Sequence, residues 1–98
     1  MIHEDRNKLS EKTLEMKRAI DSLREELEAV DWYNQRADVS NDPELKKLLI
    51  HNADEEKEHA AMLIEWLRKN DEWFDKELKE YLFKDTDITD HENDVMDR

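Results

Sequence analysis

The stretch LKKLLIHNADEEKEHAAMLIEW, from Leu45 to Trp66, decides how this chain folds. Stepped alternately by four and three residues, it yields Leu45, Leu49, Asn52, Glu56, His59, Leu63 and Trp66, the seam of an amphipathic helix. That seam is apolar at both ends and polar in the middle. Glu56 and His59 form a Glu-x-x-His pair where hydrophobic side chains belong. A carboxylate taken out of water there is costly unless it is paired or bound to a cation. Metal ligation relieves that cost most directly, and the alternative is a buried polar pair that fixes helix register. Asn52 has no assigned role in the pattern.

Outward from this seam, Asp42 followed by Pro43 marks a helix start, because proline at the first helical position gives up no useful hydrogen bond. The spacing predicts a helix from Pro43 to about Lys69. Upstream, Ser10 reads as the N-cap of another helix reaching about Ala37, with Leu9 and Leu14 placed as a hydrophobic staple. Its seam is Leu9, Met16, Ile20, Leu23, Leu27 and Val30. Downstream, Asn70 or Asp71 ends the second helix and caps a short third one carrying Trp73, Phe74, Leu78, Tyr81 and Leu82. Beyond Phe83 the periodicity stops, and KDTDITDHENDVMDR reads as an acidic flexible tail. The expected architecture is all-α: an antiparallel two-helix hairpin plus a short C-terminal helix over residues 1–83, and a tail over 84–98.

Composition narrows the classes of function. With 98 residues, 37% of them hydrophobic and 45% charged, a lone chain buries only a modest core, so association is expected. No glycine and a single proline favour long helices. A formal charge of −12 argues against nucleic acid and anionic membranes as partners, since both are bound through Lys and Arg. The same charge concentrates cations, or serves solubility alone. Thiolate metal sites and thiol catalysis are excluded, because there is no cysteine. No apolar run is long enough to span a bilayer and the charged N-terminus is unlike a signal peptide, so a cytoplasmic location is expected.

A further carboxylate joins the pair on the second helix. Glu26 lies about 11 residues before the end of the first helix and Glu56 about 13 after the start of the second, so their heights differ by about 3 Å. Leu23 and Val30 flank Glu26 at i−3 and i+4, which places it at the edge of the apolar stripe, and Tyr33 shares that side. One hairpin therefore offers Glu26, Glu56 and His59. Di-metal carboxylate centres in four-helix bundles use two such sets, one Glu from each of two helices and Glu-x-x-His from each of the others. Half a centre per chain implies a site formed only in a dimer. The donors suit iron, zinc and manganese alike.

The stretches EELEAVDWYNQR (Glu25 to Arg36), DPEL (Asp42 to Leu45) and HNADEEKEHAAMLIEWLRKND (His51 to Asp71) together resemble the encapsulated ferritins, ferritin-like proteins that work inside encapsulin nanocompartments. The resemblance covers most of both long helices. It implies a ferroxidase: two hairpins closing into a ferritin-like four-helix bundle, with two iron ions per dimer held by Glu26, Glu56 and His59 of each copy. Dioxygen would accept the electrons, and ferric iron would pass to the lumen of the shell. Decamers built as five dimers are implied as well. Within the family pattern, Glu25 and Glu28 correspond to acidic residues on the side where metal arrives, with Trp32 near them and Tyr33 beside the centre. Helical spacing agrees: Glu25, Glu28 and Trp32 fall at i, i+3 and i+7 on a face turned away from the seam. No LGIRK-like shell-targeting pattern follows the acidic tail. The resemblance then implies a chain cut before that peptide or a domain fused to its shell protein. A structural or adaptor hairpin that binds metal incidentally is the rival reading, and a zinc-stabilised bundle without redox chemistry is a third.

Overall fold

The computed structural model describes residues 1–96. Among them the only regular structure is helical: a 3-10 turn at Arg6–Lys8, then α1 (Glu11–Val39), α2 (Pro43–Asn70), α3 (Glu72–Tyr81) and α4 (Ile88–Met96). Two compact units divide the chain, Met1–Leu67 and Arg68–Arg98.

The first unit is the hairpin. Ser10 caps α1, its hydroxyl accepting the Thr13 N–H at 3.1 Å, and Leu14 just inside the helix is buried. Asp42 caps α2 with Oδ1, which accepts the N–H groups of Glu44 at 2.9 Å and Leu45 at 3.2 Å, while Pro43 occupies the first helical position. Helices of 29 and 28 residues are each about 42–44 Å long. Only residues 40–42 separate them, so they run antiparallel side by side.

The buried stripes differ in phase from the sequence reading. Along α1, burial follows Met16, Ala19, Leu23, Glu26, Val30, Tyr33 and Ala37. Ile20 and Leu27, expected in the seam, are 39% and 54% exposed. Along α2, burial follows Leu49, Ala53, Glu56, Ala60, Leu63 and Leu67, so Asn52 and His59 flank the stripe instead of occupying its centre. Leu45 and Trp66, expected at its ends, are exposed. The cause is alanine. Ala53, Ala37 and Ala60, with Leu67, take the deepest positions, and Ala19 is buried too, because a methyl group lets two helix axes approach closely while several larger neighbours are turned to the flanks. Glu26 consequently lies on the stripe itself, not at its edge.

The C-terminal unit contains the end of α2, α3 and α4. Asp71 caps α3, accepting the N–H groups of Trp73 at 2.9 Å and Phe74 at 3.0 Å. Arg68 at the end of α2 reaches Asp75 at 2.5 Å, and Asp75 also receives Lys79 at 2.9 Å. Those two hydrogen bonds, Lys79 first and Arg68 second, hold the Asp75 carboxyl below its ordinary range. The stretch after Phe83, read as an acidic tail without periodicity, contains the nine-residue α4, capped by Asp87 through the Thr89 and Asp90 N–H groups. His91, expected in disorder, is buried. Its ring stands edge-on to Tyr81, and its Nε2 lies 3.2 Å from Glu80 Oε1 without the alignment of a hydrogen bond.

Candidate metal centre

Three helical positions bring the donors together. Glu26 comes from the middle of α1, and Glu56 and His59 come from the middle of α2, one turn apart on the side facing α1. His59 Nδ1 lies 3.3 Å from Glu56 Oε2 and 3.4 Å from Glu26 Oε2. One oxygen or nitrogen donor from each of the three side chains falls within 4.8 Å of the others, and among the described residues no other His, Cys, Asp or Glu group does so.

The local electrostatics favour a cation. Glu26 Oε2 is a fully covered acceptor with no hydrogen-bond donor, although the side chain as a whole is 25% exposed. Leaving such an oxygen unpartnered costs about 1–3 kcal/mol, and more when it carries charge. His59 faces it at 3.4 Å but is engaged with Glu56, so two carboxylates share one imidazole. A divalent ion supplies what both carboxylates lack. The donor set, two oxygens and one nitrogen, is that of iron, manganese or zinc. Three donors leave even a four-coordinate ion unfilled, and at 44% exposure His59 opens the trio to the outside of the single hairpin.

The other residues singled out in the sequence fall into two groups. Tyr33 lies two turns beyond Glu26 on the same buried stripe, with the Arg36 guanidinium 5.8 Å from its ring centroid. Glu25, Glu28 and Trp32 are exposed on the opposite face of α1, away from the trio. Trp32 shares Arg36 at 5.8 Å and lines a shallow cavity of ≈ 280 Å³ with Gln35 and Arg36. His51 pairs along the surface with Glu55 at 3.5 Å and takes no part in the cluster. Sequence reasoning overlooked Arg36, whose signal was its place at i+3 from Tyr33 and i+4 from Trp32.

A family model described as EncFtn-like matches residues 1–85, which include both long helices and all three donors. The chain belongs to the EncFtn-like family. Among its relatives, an encapsulated ferritin-like protein of Rhodospirillum rubrum is 58% identical over 87 residues, covering 89% of this chain and 62% of that protein. A ferritin-like protein of Thermotoga maritima is 49% identical over 93 residues, 95% of this chain and 82% of that one. The EncFtn-like chain thus spans somewhat under two thirds of its Rhodospirillum relative. The fold also superposes on the crystal structure of a Nitrosomonas europaea protein with a TM-score of 0.85 and 61% identity, covering 89% of this chain and 96% of the other. In the EncFtn-like hairpin no described helix is long and apolar enough to cross a membrane.

Proposed function

We propose that this EncFtn-like chain oxidises Fe(II) at a two-iron centre formed where two copies meet, each copy giving Glu26, Glu56 and His59. The observation that carries the reading is the meeting of these donors within 4.8 Å, with a covered Glu26 oxygen that no protein group satisfies. One hairpin holds too few donors for two ions, and two hairpins supply six, with carboxylates able to bridge. The flank of α2 that carries His59 is also the one a second copy would cover: Leu48, Met62 and Trp66 lie along it, exposed in the single chain.

In this reading ferrous ions are substrate. Glu25 and Glu28 attract them on the outer face, Glu26 and Glu56 accept them, and His59 completes the set with nitrogen. Each ion gives up one electron to dioxygen, and ferric iron leaves for storage. Tyr33 and Trp32 shape the surroundings without ligating. The name of the Rhodospirillum relative supports a place inside an encapsulin shell, and the family resemblance supports assembly of the dimers into decamers.

The test is sedimentation velocity with metal analysis on the full chain, with and without anaerobic Fe(II), followed by an oxygen electrode. Two irons per dimer, association promoted by iron, and dioxygen consumed on Fe(II) addition are expected. Two irons bound per monomer at full affinity would refute the shared site. Dioxygen left unconsumed would leave a structural hairpin as the better reading.

A further inference from the structure

Asn52 sits one helical turn before Glu56 and two turns before His59, on the same flank of α2 as His59. It is half-buried, and among the described residues its carboxamide takes part in no hydrogen bond. That is an odd choice for a helix flank bordering a core. Asparagine is a weaker helix former than leucine, and a half-covered amide gains less from burial than an apolar side chain would.

The neighbouring trio offers a reason. Glu56 Oε2 has His59 Nδ1 at 3.3 Å as its hydrogen-bond partner. That same nitrogen faces Glu26 at 3.4 Å, so it is the His59 atom placed between both carboxylates, and an ion that binds through it takes the Nδ1 lone pair. Glu56 then loses its donor at the moment it becomes a ligand, and ligating carboxylates are normally held in place by an outer hydrogen bond. Residues four apart on a helix have Cβ atoms about 5–6 Å apart, within reach of an amide-to-carboxylate bond. Asn52 is the neutral donor at that spacing.

We infer that Asn52 is a positioning residue of the metal centre: its side-chain N–H donates to the Glu56 carboxylate once His59 Nδ1 turns to the ion, holding Glu56 in its ligating rotamer. The inference rests on the proposed metal-binding role of the trio. Asn52 touches neither iron nor dioxygen, and its effect reaches the ion only through Glu56.

The experiment titrates the full chain with Co(II), a redox-stable probe, by calorimetry and visible absorption, alongside thermal unfolding of the metal-free protein. Asn52→Leu should bind Co(II) about tenfold more weakly, as loss of an outer partner does, and alter the absorption band, while its unfolding midpoint stays level or rises. Asn52→Gln, which keeps a carboxamide, should recover part of the affinity. Wild-type affinity and spectrum in Asn52→Leu overturn the inference, and so does a loss of affinity matched by a loss of helicity, which would mark a merely structural role. Glu56→Ala separates the two readings. If it binds Co(II) as the wild type does, the trio is not the site and both fall; if it loses binding while Asn52→Leu keeps it, only the role of Asn52 falls.

Discussion

The hairpin and the C-terminal unit are fastened in opposite ways. In the hairpin most of the buried positions are alanines, with Ala53 the deepest at 1% exposure, and the polar side chains at the buried stripe converge on one another. In the C-terminal unit the joints are ionic, Arg68 to Asp75 to Lys79, and the one buried residue among those described there is a histidine. Close packing of small residues brings two helices near enough for donor atoms from both to meet within 4.8 Å. Ionic clips set the path of a short helix but leave its aromatic residues outside, as Trp73 at 69% exposure illustrates. A metal centre belongs in the first kind of structure, because only there is donor spacing held by the backbone itself.

This contrast can be broken most sharply at its polar rung. Replacing Glu56 or His59 with alanine should lower the rate of Fe(II) oxidation roughly 100-fold or more, since even outer partners of a metal site are worth 10–100-fold. Far-ultraviolet circular dichroism of the same variants should stay near wild type, because the rung is polar and partly exposed. Unchanged oxidation would mean that the trio is ornamental to the reaction.

A second probe tests the packing itself. Ala53→Leu forces three extra carbons between the helices and should destabilise the protein by about 1–3 kcal/mol, read from chemical denaturation. It should also weaken Co(II) binding, because Glu26 and Glu56 would be pushed apart. Wild-type stability would show that the alanines are not setting the interhelical distance.

The smallest effect is expected in the C-terminal unit, and it depends on pH. Asp75 is held below the ordinary carboxylate range by Lys79 and Arg68, so the folded state takes up a proton less readily than the unfolded one. Its contribution to stability is complete above the ordinary carboxylate range and is lost as pH falls through the lowered folded value. Amide exchange corrected for intrinsic rates should therefore show residues 72–81 losing protection on acidification, and Asp75→Asn should make that protection low and flat with pH. An unaltered acid profile in the variant would place the sensitivity elsewhere.

Much of this was legible from the chain alone. Ser10 and Asp42 cap the helices they were expected to cap, and of the two candidates Asn70 and Asp71 it is Asp71 that caps α3, because an oxygen-bearing side chain ahead of an apolar run acts locally. Glu26, Glu56 and His59 were selected by type, spacing and height, all of which follow from helical repeat. The phase of the stripes was not legible. Leucine and isoleucine dominate a hydrophobicity reading, whereas interhelical contact rewards the smallest side chain, so Ile20 and Leu27 were read as core and Ala19 was passed over. Helix α4 escaped notice for a related reason. Asp87 is a sound N-cap signal, but α4 has one buried residue, and that residue is a histidine tucked against Tyr81, not an apolar one.

Sequence by itself determined the helices, their caps, the short connection between α1 and α2, and the level at which two glutamates and a histidine would meet, because each depends on residues within a few turns. Tertiary structure alone decided which flank each side chain occupies, that Glu26 Oε2 is covered without a donor, and that His59 stands between two carboxylates at 3.3 and 3.4 Å. The reason is distance along the chain. About thirty residues separate Glu26 from Glu56, helical repeat fixes only their heights, and the rotation of one helix against the other is settled by alanines that carry no strong signal of their own.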